Sequence, residues 1–106
     1  MAISNAPWDG SASNYDDTDH YCSACLIDMN PSGETKVQKL CKLPVYEPDG
    51  DLNRSAVHSA AAVLSGAMGG VQAPLATRQE AARKLVKLYG QLGETPGEST
   101  KALAGS

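Results

Sequence analysis

Val57-His58-Ser59-Ala60-Ala61-Ala62-Val63-Leu64-Ser65-Gly66-Ala67-Met68-Gly69-Gly70-Val71 is the stretch whose reading decides the fold. Val57, Ala60, Ala61, Leu64, Ala67 and Met68 follow the i, i+3, i+4, i+7 rhythm of a helix that buries one stripe. Asn53 stands ahead of it as an N-cap, and Gly69-Gly70 closes it, because glycine accepts the left-handed conformation in which helices end. Beyond Pro74, Thr77-Arg78-Gln79-Glu80 reads as a capping box that opens a second helix. Ala81, Ala82, Leu85, Val86, Leu88 and Tyr89 supply its apolar side, Arg and Lys lie between them, and Gly90 or Gly93 ends it. The two helices make an αα-hairpin whose alanine faces allow approach towards the lower end of the usual separation of about 8–10 Å between axes.

Working outward towards the N-terminus, apolar content rises from Tyr21 to Met29 and stops at the turn signal Asn30-Pro31-Ser32-Gly33. Residues 24–29 and 37–43 read as a short β-hairpin, which must pack on the helices because a two-stranded ribbon is marginal alone. Pro44 and Glu47-Pro48-Asp49-Gly50 then break regular structure in a type I turn pattern. Residues 1–19, rich in Ser, Asn, Asp and Gly, read as an extended arm with Trp8 and Tyr15 as its large anchors. The expectation is therefore an α+β chain: arm 1–19, small domain 20–93, and a Gly/Pro/Ser-containing tail 94–106 with a turn of helix near Thr100 to Ala104.

Composition bounds the function. The 106 residues contain no Phe, one Trp and four Tyr, so the core leans on Ala, which buries little area at about 25 cal/mol per Å². A chain built this way gains from a partner surface. Its formal net charge of -3 gives no global attraction to a phosphate backbone, which argues against nucleic acid as a partner. Acids gather towards the N-terminal half and Arg78, Arg83, Lys84 and Lys87 on one later segment, an asymmetry that suits docking between copies or onto a larger assembly. The N-terminal residues do not read as a secretory signal and no segment approaches a membrane span, so the expectation is a soluble protein made in a reducing cytosol.

Several motifs carry chemistry on paper. Cys22-x-x-Cys25 has zinc-knuckle spacing, and Cys41 with His20 or His58 would have to complete the site; three reduced, mostly buried thiols are the simpler reading. A cross-strand contact between Cys25 and Cys41 is compatible with the hairpin, while a disulfide is not expected in cytosol. His58 and Ser59 do not make a catalytic pair, because adjacent helical residues point about 100° apart. The glycines of Gly66-Ala67-Met68-Gly69-Gly70 follow a helix and lack a Lys-Ser/Thr pair, unlike a phosphate loop. No catalytic residue and no cofactor is expected, and the chain reads as a non-enzyme. Trp8 is either the anchor that staples the arm to the core or a hot spot for a partner, and Trp8, Tyr15 and Tyr21 are the candidate partner-binding residues.

In order, Trp8-Asp9-Gly10-Ser11-Ala12, the Tyr21–Cys25 stretch, Lys42-Leu43-Pro44, Asp49-Gly50-x-Leu52-Asn53, Val57-x-x-Ala60-Ala61, Leu64-x-Gly66-Ala67-x-Gly69-Gly70-Val71, Pro74, Arg78 and Tyr89 resemble a small domain of tailed bacteriophages. That domain is found beside or appended to prohead proteases and other head-morphogenesis proteins, and the resemblance spans roughly Trp8 to Gly93. It implies a virion-assembly role without proteolysis, since the protease's catalytic Ser and His belong to a separate domain. With the arm, it implies a cement or decoration protein made in the host cytoplasm and located on the virion capsid. Its partners would be the major capsid protein and copies of itself. The competing expectations are a zinc- or nucleic-acid-binding accessory domain and a non-catalytic module of the maturation protease.

Overall fold

Short apolar runs broken by turn residues build one part of this chain, and longer runs of helical period build the other. The structure, a computed structural model, describes residues 2–66 and 69–105, so Ala67 and Met68 of the expected stripe lie outside the described residues. The fold is α+β and divides into two compact units, Met1–Ala56 and Val57–Ser106.

In the first unit, β2 (Cys25–Asp28) and β3 (Cys41–Pro44) form the expected antiparallel pair, with Cys25 opposite Pro44 and Ile27 opposite Lys42. Two details differ from the sequence reading. The second strand begins at Cys41 because residues Gln38–Leu40 close into a 3-10 turn. The apolar run from Tyr21 is not one strand, since its first residues complete α1 (Thr18–Ser23), whose start is capped by the Asp17 carboxylate accepting from the His20 N–H at 2.8 Å. Leu43, just before Pro44, takes φ 63°, a left-handed conformation that costs a non-glycine residue about 1–2 kcal/mol.

The arm read over residues 1–19 is built into this unit. Its β1 (Ile3–Ser4) pairs in parallel with β4 (Leu52–Asn53), Ile3 opposite Leu52, and the Leu52 N–H donates to the Ala2 carbonyl at 3.0 Å. The Val45 N–H donates to the Ala24 carbonyl and the Asn53 N–H to the Val45 carbonyl, which ties the hairpin to β4. A core cluster of Tyr15, Tyr21, Cys22, Ala24 and Cys41 fills the space beneath, with Ala12, Cys25 and Tyr46 packed against it.

Asn53 holds a chain junction together. Its Oδ1 accepts from the Ala56 N–H at 2.9 Å, the N-cap expected of it, while its Nδ2 donates to the Ala6 carbonyl and to Glu47 Oε2. From there α2 (Arg54–Leu64) runs on, the unit boundary falling within its first turn. Val57, Ala60, Ala61 and Leu64 are buried, as the periodicity required. The helix stops at Leu64, earlier than the Gly69-Gly70 stop, because the Gly66 N–H turns back to the Val63 carbonyl at 3.0 Å.

α3 (Leu75–Leu92) starts two residues before the predicted capping box. Pro74, with φ already near the helical value, accepts from the Arg78 N–H, and Thr77 therefore lies inside the first turn. Ala81, Ala82, Leu85, Leu88, Tyr89 and Leu92 are buried, whereas Val86 is exposed. Of the two predicted stops Gly93 is the real one: at φ 73° its N–H reaches the Gly90 carbonyl and the Glu94 N–H reaches the Tyr89 carbonyl, a Schellman motif. The expected tail contains a further helix, α4 (Glu98–Ala104), which packs extensively on α3 and buries Thr100.

Candidate docking site

The segment around Trp8 is shaped by short polar bonds. Asp9 Oδ1 accepts from the Ser11 N–H at 2.6 Å and from Asn14 Nδ2 at 2.9 Å, which curls residues 9–14 into a turn and a 3-10 segment, Ala12–Asn14. Gly10 sits at φ 68°, and a Cβ there would lie 2.9 Å from Trp8 Nε1, so the indole rests against bare backbone. Trp8 is half-buried.

Across from it, the turn predicted at Glu47-Pro48-Asp49-Gly50 closes by a 2.8 Å bond from the Gly50 N–H to the Glu47 carbonyl. Trp8, Asp9, Asn14, Tyr15, Glu47 and Pro48 together line a cavity of about 290 Å³. Its floor is rigid. The Tyr15 hydroxyl donates to the Tyr46 carbonyl, and the ring meets His20 and Tyr21 edge-on at centroid distances of 5.2 and 5.4 Å. Burial pushes the Tyr15 phenol up to about 12, and the charges of Cys25, Glu47 and Asp9 add to the rise.

Tyr15 and Tyr21, expected to meet a partner, are instead core residues at 7% and 9% exposure, because the arm folds back onto the hairpin. Burial also pushes the Tyr21 phenol up to about 12. Of the three residues assigned to partner binding, Trp8 alone keeps a half-open side chain.

The cysteines correct the sequence reading more sharply. Cys22 and Cys41 form a disulfide that joins α1 to β3, so neither is the reduced thiol expected, and the partner of Cys41 is Cys22 rather than Cys25. Cys25 is a free, half-buried thiol whose Sγ lies 3.3 Å from the Tyr21 carbonyl. Burial pushes it up to about 11. The set His20, Cys22, Cys25 and Cys41 is not assembled. His20 has its Nε2 at 2.9 Å from the Pro48 carbonyl and its Nδ1 at 3.2 Å from the Asp16 N–H. Among the described residues, the one group of three potential ligand residues within 4.8 Å of one another is Cys22, Asp28 and Cys41. Two of these are bonded to each other, and Asp28 is engaged by Lys36 and Asn30, which hold its carboxyl down at about 2.

In the second unit His58 is exposed. Its Nε2 lies 2.6 Å from Glu94 Oε1 and its ring stacks on Tyr89 at 5.9 Å. Arg78 turns its Nε to the Ala73 carbonyl at 3.1 Å, and Lys84 lies 3.8 Å from Glu80 along the helix, so part of the basic face is internally bonded. Sequence reasoning missed Glu47 and Asn14 as cavity residues, because nothing in spacing links positions 39 and 6 residues away from Trp8. No helix among the described residues is long and apolar enough to cross a membrane.

Neither a family model, nor a curated protein, nor a solved structure matches this chain.

Proposed function

We propose that this chain is a structural virion protein that binds the capsid of a tailed bacteriophage, a cement or decoration protein that stabilises the head shell. The observation that carries the reading is Trp8: its indole is seated on Gly10 and half-open at the mouth of a preformed cavity, on an arm anchored through β1. A Trp held this way serves as both staple and hot spot, since its position is set before binding and little freedom is left to lose. The order of motifs that resembles phage head domains supports the capsid as the partner. The Cys22–Cys41 bond adds support, because disulfides persist on particles outside a reducing cytosol. A shell contact of about 1,200–2,000 Å² suffices for stable association, and many copies would add avidity.

The test is sedimentation of the purified chain with mature phage heads. The wild type is expected in the particle fraction at near-stoichiometric copy number, and Trp8→Ala is expected to weaken association by about 30-fold, a hot-spot loss of about 2 kcal/mol. Wild-type protein that stays in the supernatant would sink the capsid reading; a Trp8→Ala variant that binds as well as wild type would remove Trp8 from the interface.

A further inference from the structure

We infer that the cavity beside Trp8 is a receptor for one arginine side chain presented by the protein partner. This deepens the docking role proposed above and rests on it for the source of the arginine. The lining brings two kinds of residue together: the aromatic residues Trp8, half-buried, and Tyr15, buried, and the acidic residues Asp9 and Glu47. No Lys or Arg is among the lining residues, and residues 1–35 hold six acids before the first base, Lys36. Among the described residues that line the cavity, the charged side chains are both carboxylates.

The carboxylates have capacity for a ligand. An ionised carboxylate offers about four acceptor positions, and the bonds described above take one on Glu47, from Asn53, and two on Asp9, from Ser11 and Asn14. Those same bonds hold both groups in place, so a guest would find them preorganised. At about 290 Å³ the space falls just below the range of small-molecule sites, which start at about 300 Å³, a size that suits a single side chain rather than a folded element.

Arginine fits this combination better than lysine. A planar guanidinium stacks on an indole face while its edge forks to a carboxylate, and it is less strongly hydrated than an ammonium, so it loses less on entering a half-enclosed site. An uncharged donor could hydrogen-bond to Asp9 or Glu47 but would lack the charge pairing that roughly doubles the strength of such a bond.

The chain carries its own reporter, since Trp8 is its single Trp. N-acetyl-arginine methylamide titrated into the full-length protein is expected to change Trp8 fluorescence saturably. The isosteric but uncharged citrulline derivative is expected to bind about tenfold more weakly, and the lysine derivative to fall between them. Glu47→Gln, which keeps an acceptor oxygen for Asn53, is expected to weaken the arginine probe about fivefold. Asp9→Asn, which keeps one for Ser11 and Asn14, is expected to do the same and serves if Glu47→Gln unfolds. A linear response without saturation, equal binding of citrulline, or an unchanged affinity in both folded variants would overturn the inference. Particle association without arginine recognition leaves the docking role standing and removes this one. Arginine recognition without particle association does the reverse to the capsid partner.

Discussion

In the unit Met1–Ala56 the regular elements are two to six residues long and are joined by bonds between distant positions, whereas Val57–Ser106 contains an 18-residue helix and the 7-residue helix packed on it. The first unit relies on β1 meeting β4, on Cys22 bonded to Cys41, and on Asn53 reaching Ala6 and Glu47. The second relies on repeated burial of small and aliphatic side chains along helix faces. Their charges differ as well: nine acids against four bases in the first, three acids against five bases in the second. A unit of short elements loses order when one specific bond is removed, because no single element is stable alone, while a helical unit spreads its stability over many contacts. The half-open Trp8 belongs to the bond-dependent unit, where its position is held by neighbours rather than by a helix.

This contrast can be broken at its strongest point in the second unit. Leu85 is fully buried in α3, and Leu85→Ala is expected to lower stability by about 3–4 kcal/mol in urea unfolding. A loss under about 1 kcal/mol would mean that the helices share the burden far more evenly than the burial implies. In the first unit, reducing the Cys22–Cys41 bond, which spans 19 positions, is expected to cost about 3 kcal/mol through the regained freedom of the unfolded chain. Amide exchange should then show lost protection in α1, β2 and β3 with α3 little changed. Equal loss in both units would show that they unfold together.

Asn53→Ala removes the α2 cap and strands two further groups, and about 2 kcal/mol is expected in thermal unfolding. Asn53→Asp keeps the cap acceptor but sets a second carboxylate against Glu47 Oε2 and the Ala6 carbonyl at a buried position, and is expected to recover none of that loss at neutral pH. The smallest effect concerns acid stability. Asp28 lies at about 2, below its ordinary value of 3.8, so between those values the unfolded chain binds more protons than the folded one. Its contribution is complete above about pH 4 and fades as pH falls towards 2. The Asp28 and Lys36 side chains are partly exposed, which limits the effect to under about 1 kcal/mol. Asp28→Asn should flatten that limb of the pH–stability curve, and an unchanged slope would mean that other carboxylates set it.

Much of the local structure was legible because it is written in neighbouring residues. The hairpin followed from two apolar runs around a Pro/Gly turn, the buried stripe of α2 from its 3.6 period, and the buried face of α3 from Ala81, Leu85 and Tyr89. Termini were less legible. Thr77 and Glu80 form a plausible cap in isolation, yet Pro74 supplies the helical φ earlier and takes the start of α3. Asp17 was an available cap for α1, overlooked because the following Tyr21–Met29 run reads as continuous extended chain. The cavity was the least legible part. Trp8 drew attention as a lone indole, but its partners Glu47 and Pro48 come from a turn far along the chain.

By itself, then, the amino-acid sequence determined the α+β class, the positions of the hairpin and the two long helices, and the charge asymmetry. These rest on spacing, turn chemistry and composition, which act within a few residues. Only the tertiary structure decided that the arm joins β4, that Cys22 rather than Cys25 pairs with Cys41, that Tyr15 and Tyr21 are core, and that two carboxylates face the Trp8 cavity. Each of those is a meeting of residues far apart in the chain, and three cysteines or a lone Trp are compatible with several such meetings until packing selects one.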